Sequence, residues 1–163
     1  MTSLSCCTGT VHDHSTIQDI KPSGNIQSIG NVKCYITSSN SQANQSDILV
    51  ILATDVFGYT LSNSRILADM FSNELNTTCI VPDLFKGSEP PVTVMDTLAP
   101  LQQKNASIWS KLYAICTLLY YFPGFVIRNP KSKSINIIKK VIKEYRNNNK
   151  HIRKVVLVGY CWG

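Results

Sequence analysis

A pentapeptide at residues 159–163, Gly159-Tyr160-Cys161-Trp162-Gly163, has the residue types and the spacing of a nucleophile elbow. Its cysteine stands between two glycines and follows the apolar run 155–158. In such an elbow the nucleophile projects from a strained turn, and the glycines let the chain pass closely on either side. The pattern predicts that the Cys161 thiolate attacks an ester or lactone carbonyl. The alternative is a structural cysteine in a tight turn.

Acyl transfer also needs backbone N–H groups that point at the developing oxyanion. We expect these donors to be Trp162, which follows the nucleophile, and Val56, which lies in the loop after an earlier apolar run. Asp55 precedes Val56 at the predicted carboxyl edge of the sheet, where ligands bind in α/β folds. An aspartate that caps a turn explains Asp55 equally well.

A nucleophilic cysteine needs activation, and the three histidines of the sequence all precede Cys161. His151 lies at the start of the run that leads to the elbow, so we expect it at the opposite end of that strand, as a solvated residue. In a nucleophile-elbow hydrolase the triad acid and histidine follow the nucleophile. We therefore expect both to be absent from these 163 residues, which should be inactive or nearly so.

The elements that would position these residues have alternating α and β patterns. Residues 48–53 and 77–81 are apolar runs typical of buried strands, and between them an apolar stripe at helical spacing predicts a helix capped by Ser62 or Asn63. The stripe consists of Ile66, Leu67, Met70, Phe71 and Leu75. Strand, helix and strand in this order predict a βαβ unit with parallel strands.

The remaining chain extends this pattern on both sides of the βαβ unit. Residues 32–37 alternate like a half-buried strand, 84–100 form a proline-rich excursion, 101–122 predict a helix stopped by Pro123-Gly124, and 134–146 predict a second helix. Residues 154–158 predict another parallel strand, left uncovered on one side. The prediction is an α/β fold, a mostly parallel sheet with helices on both faces, incomplete at the C-terminus. We divide it into a polar arm, 1–26, and one domain, 27–163.

Composition excludes several classes of protein. Apolar residues make up 44% of the chain and charged residues 16%, as in ordinary globular domains. The N-terminus has neither the basic nor the apolar region of a secretory signal. The longest apolar stretch, 112–127, is shorter than the roughly 18–20 residues of a membrane span. We therefore expect no membrane partner.

The six cysteines are scattered, and most lie in apolar runs, which favours a reducing, cytoplasmic setting. Cys6-Cys7, with His12 and His14 nearby, raises a metal or redox alternative. Because no second pair stands at ligand spacing downstream, we expect no metal.

Basic residues are concentrated in the last part of the sequence. Residues 131–163 hold nine Lys and Arg against one acid, Glu144. Such a helical face can bind nucleic acid or anionic lipid, but it is more often a solvated surface. Without aromatic interleaving or a nucleic-acid motif, we expect no nucleic-acid partner.

Four motifs together resemble the dienelactone hydrolase family of α/β-hydrolases, especially its eukaryotic branch. They are Cys6-Cys7 with Gly9, Asp55-Val56-Phe57-Gly58, the segment Val81-Pro82-Asp83-Leu84-Phe85 with Gly87, and Gly159-Tyr160-Cys161-Trp162-Gly163. The last two are the specific ones. The resemblance extends over nearly the whole chain.

This resemblance implies a cytoplasmic hydrolase of carboxylic esters or lactones with a Cys-His-Asp triad and no cofactor. Cys161 matches the family's nucleophile, and Val56 and Trp162 match its oxyanion-hole positions. Asp55 falls where bacterial members have a glutamate that contacts the resting cysteine, so dienelactone itself is a poor candidate for the substrate. Three alternatives stay open: a non-enzymatic truncated product or gene-model fragment, a thiol redox protein that pairs Cys161 with Cys6 or Cys7, and nucleic-acid binding through residues 131–154.

Overall fold

The computed structural model describes residues 21–39 and 46–163, so most of the polar arm, with its cysteines and histidines, lies outside the described residues. Strands β1 (Asn25–Ile29) and β2 (Val32–Ser38) form an antiparallel hairpin. Gly30 and Asn31 connect them with φ of 54° and 63°, the left-handed conformation that two-residue hairpin turns need. β1 was not predicted, because three of its five residues are polar and four are exposed.

Three further strands carry the predicted site. They are β3 (Ile48–Ala53), β4 (Thr78–Pro82) and β5 (Lys154–Gly159), and the sheet order is β1-β2-β4-β3-β5. β4 and β5 both pair with β3 in parallel, whereas β2 pairs with β4 antiparallel. Helix α1 (Ser62–Glu74) connects β3 to β4, which confirms the predicted βαβ unit. The sheet is mixed, and its parallel part brings the ends of β3 and β5 together.

The cap predicted for α1 is wrong, and the predicted apolar stripe is right in part. Leu61 occupies the N-cap without a side-chain hydrogen bond, and Ser62 and Asn63 lie inside the helix. Of the stripe, Leu67 and Phe71 pack against the core, whereas Met70 is 58% exposed. The helix also buries Ala68, Asp69 and Ser72. The small side chains let the helix approach the strands closely, and Asp69 is satisfied by a hydrogen bond from Tyr35.

Three helices lie between β4 and β5. The predicted excursion contains α2 (Thr93–Leu98) and a 3₁₀ turn (Ala99–Leu101), followed by α3 (Ile108–Arg128) and α4 (Lys131–Asn148). The prediction that Pro123-Gly124 ends a helix of residues 101–122 is wrong at both ends. Ser107 caps α3 by accepting the Trp109 N–H, and α3 continues past Pro123 to bury Phe125. A proline removes one helical hydrogen bond, which tertiary packing offsets here.

α3 is also longer than the apolar stretch considered in the sequence. It has 21 residues, and in the described part of the chain it is the one helix whose length and composition would suffice to cross a membrane. The core helix of a soluble protein passes the same test when it is buried, but only 11% of the most apolar window of α3 is buried.

Helices cover both faces of the sheet. On one face a core cluster joins β3 and β4 to α4 and to Phe125 of α3, and on the other face a second cluster joins the strands to Ala68 of α1. Strand β5 is the last strand of the described sheet, and its Val156 and Leu157 are 45% and 57% exposed. This agrees with the expectation of a strand uncovered on one side.

Candidate active site

The turn after β5 is built against the end of β3. In the parallel register Gly159 lies opposite Ala53, and the Tyr160 N–H donates to the Ala53 carbonyl at 3.1 Å. The Gly163 N–H closes the turn on the Tyr160 carbonyl at 2.9 Å. Cys161, at the tip, is exposed and has a φ of 55°. A non-glycine residue rarely adopts this left-handed conformation, and a nucleophile elbow requires such a strained turn.

Both glycines of the pentapeptide are needed for steric reasons. A Cβ on Gly159 would lie 2.6 Å from the carbonyl carbon and oxygen of Gly163. A Cβ on Gly163 would collide with the carbonyl oxygen of Ala53. The turn can therefore fold back onto β3 only with glycine at these two positions.

The loop after β3 begins at the same edge of the sheet. Asp55 accepts the Phe57 N–H on its carboxylate at 2.9 Å and the Gly58 N–H on its backbone carbonyl at 3.1 Å. Burial raises the pKa of the Asp55 carboxyl above its ordinary value, and the N–H groups of Phe57 and Gly58 oppose that rise. Asp55 thus stabilises the turn of this loop, as the turn-capping interpretation predicts. It also follows the carboxyl end of β3, the edge at which ligands bind in α/β folds.

A chain of aromatic rings connects the elbow to the loop after β4. The rings of Trp162 and Phe125 pack edge to face with centroids 5.0 Å apart, and Phe125 packs on Phe85 at the same separation. Gly58 lies against Phe85, because a Cβ there would be 3.3 Å from the Phe85 ring. Loops from β3, β4 and β5 therefore meet through side chains.

Asp83 fixes the conformation of the loop after β4. Its carboxylate accepts the N–H groups of Phe85 and Lys86 at 3.2 and 2.7 Å. This turn follows Pro82 and directs the Phe85 ring into the core, where it is 1% exposed. Residues 81–85, which with the elbow form the more specific part of the family resemblance, thus fix the loop at this edge of the sheet.

The structure brings together four of the residues selected from the sequence. Asp55 and Val56 follow β3, Cys161 and Trp162 follow β5, and the side chains of Val56 and Trp162 both pack on one core cluster. The Trp162 indole N–H is buried and has no acceptor among the described residues, so ring packing alone orients this side chain. The oxyanion-hole assignment stays a prediction.

His151 is not part of this group. It is exposed and precedes β5, whose six residues separate it from the elbow by roughly 17 Å. Residues 21–39 and 46–163 contain no cluster of three or more His, Cys, Asp or Glu that could hold a metal ion. Cys6, Cys7, His12 and His14 lie outside the described residues.

Phe125 is the site residue that sequence reasoning missed. The predicted helix ended before it, because Pro123-Gly124 was expected to stop the helix. Local sequence gives no signal for a proline that packing tolerates. Phe125 is 3% exposed and joins the elbow to α3.

The mixed sheet, the helices on both faces and the tight turn after β5 define an α/β-hydrolase fold. A crystal structure from Klebsiella pneumoniae, of a protein assigned as a dienelactone hydrolase, matches it with a TM-score of 0.55 at 14% identity. The match covers 86% of this chain and 50% of that one, and at this identity it speaks for the fold alone. No protein-family model matches the chain.

Curated relatives extend the comparison to sequence. The carboxymethylenebutenolidase homologues of Rattus norvegicus and Homo sapiens are each 31% identical over 135 residues, 83% of this chain. The hydrolase pyvD of Aspergillus violaceofuscus is 31% identical over 96 residues. The resemblance to the dienelactone hydrolase family is confirmed. The chain spans 44% of the length of the carboxymethylenebutenolidase homologues.

Proposed function

We propose that this chain contributes the nucleophile half of a cysteine-dependent hydrolase of carboxylic esters or lactones. The observation that carries the proposal is the exposed Cys161 at φ 55°, in a glycine-flanked turn hydrogen-bonded to the end of β3. A structural cysteine gains nothing from a strained, exposed position, whereas a nucleophile needs one. The relatives named as carboxymethylenebutenolidase homologues and as a hydrolase support the same class of reaction.

In the proposed reaction Cys161 gives its thiol proton to a histidine, and its sulfur forms a bond to the carbonyl carbon, whose oxygen becomes an oxyanion. The backbone N–H groups of Val56 and Trp162 stabilise that oxyanion. Collapse releases the alkoxide leaving group, which takes a proton from a histidine, and leaves an acyl group on sulfur. Water then attacks the thioester with that histidine as base and restores the thiol.

The histidine and its carboxylate partner belong, in this fold, to chain that follows the nucleophile. We propose that a chain continuing past Gly163 supplies them. We further propose that the 163 residues alone acylate slowly and do not turn over. Activation of the thiol and protonation of the leaving group are together worth several powers of ten in rate.

The substrate class follows from Asp55 and from the relatives. The name of the carboxymethylenebutenolidase homologues supports a lactone or a small ester, and we propose that the reaction takes place in the cytoplasm without a cofactor. By the family resemblance, Asp55 stands where bacterial members have a glutamate, which is one methylene longer, and we propose that its contact with the cysteine differs. We therefore propose a small-molecule ester or lactone other than dienelactone as the substrate.

The decisive test is single-turnover acylation with an activated short-chain ester. The 163-residue chain and a counterpart that continues past Gly163 are each made with Cys161→Ser and, as the matched control, Cys116→Ser. Cys116 is the other exposed cysteine of the described residues. We expect one acyl adduct on the peptide containing Cys161, lost in Cys161→Ser and kept in Cys116→Ser.

Turnover is expected only from the longer counterpart. An adduct that forms equally in Cys161→Ser would refute the nucleophile assignment. Turnover by the 163 residues at the rate of the longer chain would refute the requirement for a later histidine. Equal labelling of every cysteine at pH 6 by a thiol reagent would speak against any activated thiol.

A further inference from the structure

Helix α3 exposes most of its apolar surface. Of its 21 residues only Ala114 and Phe125 are buried, while Ile108, Trp109, Tyr120 and Ile127 are between 78% and 81% exposed. Exposed apolar patches of this extent mark interaction sites in folded proteins. Val156 of β5 is exposed as well, but β5 is a strand of the sheet, whereas α3 is not.

The charges next to α3 are mostly positive, although helix α2, which packs against α3, carries the exposed Asp96. The sequence has no acidic residue between Asp96 and Glu144. Within that interval the cations lie at both ends of α3 and along α4: Lys104, Lys111, Arg128, Lys131, Lys133, Lys139, Lys140 and Lys143. α3 and α4 pack through Phe125, Ile138 and Val141 against the same side of the sheet, so their outer surfaces share one side of the molecule.

The outer face of α4 also forms a cationic groove. An open cavity of about 480 Å³ is lined by Lys139, Lys143, Arg146 and Lys150, together with apolar stems. A partner for this side of the molecule must therefore be apolar over the length of α3 and anionic around it. A bilayer with anionic headgroups has this combination, and the cations complement it.

The aromatic residues of α3 suit a lipid surface. Trp109 and Tyr113 lie in its first two turns, and Tyr120 and Tyr121 lie past its middle. Tryptophan and tyrosine concentrate at the membrane interface, because one part of the ring system is apolar and another is polar.

We propose that α3, flanked by its cations, is a docking surface for an anionic lipid bilayer on which the helix lies flat. The helix does not cross the bilayer, because Ala114 and Phe125 hold it on the folded domain and Phe125 packs on Trp162. The cytoplasmic leaflet supplies the negative surface. This differs from the sequence-based expectation of no membrane partner, because the sequence could not show that α3 is exposed.

The test is binding to vesicles of phosphatidylcholine alone and of phosphatidylcholine with about 30% phosphatidylserine. Sedimentation measures the partition coefficient, and tryptophan emission reports insertion of Trp109. We expect at least about tenfold stronger partitioning to the anionic vesicles, with a blue shift that Trp109→Phe removes, and weakening by salt.

Two pairs of variants separate the apolar and the charged contributions. Ile108→Ser with Ile127→Ser should lower the partition coefficient at least about tenfold, while Met70→Ser, an exposed apolar residue on α1, should leave it unchanged. Lys104→Glu with Lys131→Glu should remove the preference for anionic vesicles, and Lys21→Glu should not. All of these side chains are exposed, so the variants should fold.

Each of the following outcomes would overturn the proposal. One is equal partitioning to neutral and anionic vesicles, or none to either. A second is a dimer that the serine pair disrupts, with no vesicle binding, which would assign the face to a second copy. A third is vesicle binding by the 163-residue chain but not by the longer counterpart, which would show that later chain covers α3. None of these readouts depends on catalysis, so they leave the proposed function to its own test.

Discussion

Removing the hydroxyl of Tyr35 should destabilise the fold strongly. This tyrosine is 1% exposed, and its hydroxyl donates to the Asp69 carboxylate at 2.7 Å and accepts the Gly24 N–H at 2.6 Å. The other Asp69 oxygen accepts the Ser23 N–H at 2.8 Å. One hydroxyl thus ties the segment before β1 to helix α1 through β2.

The magnitude follows from what Tyr35→Phe leaves behind. Asp69, 8% exposed, loses its donor on one oxygen, and the Gly24 N–H loses its acceptor. A hydrogen bond to a charged group contributes roughly 1.5–3 kcal/mol, and an unsatisfied backbone donor adds to the cost, giving about 2–4 kcal/mol. With a urea slope of about 2 kcal/mol per molar, the unfolding midpoint should fall by about 1–2 M.

The pH dependence provides an independent check. Burial, followed by the hydrogen bond to Asp69, raises the pKa of Tyr35 from 10.0 to about 12. Below pH 10 folded and unfolded chains both keep this proton, so the hydroxyl's stabilisation is fully present. Between pH 10 and 12 the unfolded chain loses the proton first, so stability falls as pH rises, by up to about 1.4 kcal/mol per pH unit.

Tyr35→Phe lacks this titration, so the difference in unfolding free energy between parent and variant should narrow from pH 9 towards pH 12. Cys34 and Cys79, whose pKa values burial raises to about 12, titrate in both proteins and cancel in the difference. Tyr113→Phe, at a side chain 65% exposed, is the control. A shift no larger than that of Tyr113→Phe, or a difference constant up to pH 11.5, would refute the reasoning.

Three further predictions concern the elbow, α3 and the thiols. Gly159→Ala should nearly abolish acylation of Cys161, because its Cβ would lie 2.6 Å from Gly163; unimpaired acylation would contradict the steric argument. In the control Gly124→Ala the new Cβ meets nothing within 4 Å beyond its chain neighbours and its own helix backbone, so the variant should keep acylation and raise the unfolding free energy by about 0.5–1 kcal/mol. Phe125→Ala should lower the free energy of unfolding in urea by about 3–5 kcal/mol and speed hydrogen exchange in α3. The control Phe122→Ala, at a side chain 45% exposed, should lower it by about 0.5 kcal/mol or less. Equal losses of stability would mean that Phe125 does not anchor the helix. A maleimide at pH 7 should label the exposed Cys116 and Cys161 in the folded protein and should label the buried Cys34 and Cys79 only after unfolding. Mass analysis of the peptides measures which cysteines carry the label. Labelling of Cys79 in the folded protein would place β4 outside the core.

Sequence patterns predicted the buried strands well, because a strand inside a sheet consists of a continuous run of apolar residues. The continuous apolar run 48–53 became β3 with the predicted bounds, and residues 154–158 became β5. The helix boundaries were less predictable. The proline in α3 is a local signal that the packing of Phe125 overrode, and on α1 only Leu67 and Phe71 of the apolar stripe pack against the core.

For the site, the sequence by itself determined which residues stand at the carboxyl ends of the strands, because Gly-x-Cys-x-Gly and Asp-Val-Phe-Gly directly follow apolar runs. It also determined that no acidic residue lies between Asp96 and Glu144. Only the tertiary structure decided that the parallel pairing of β3 with β5 brings these two turns together, and that Phe125 joins α3 to Trp162. Only the structure, too, shows that α3 is exposed. The physical reason is that a sequence motif fixes local backbone geometry, whereas contact and exposure depend on which distant element packs against it.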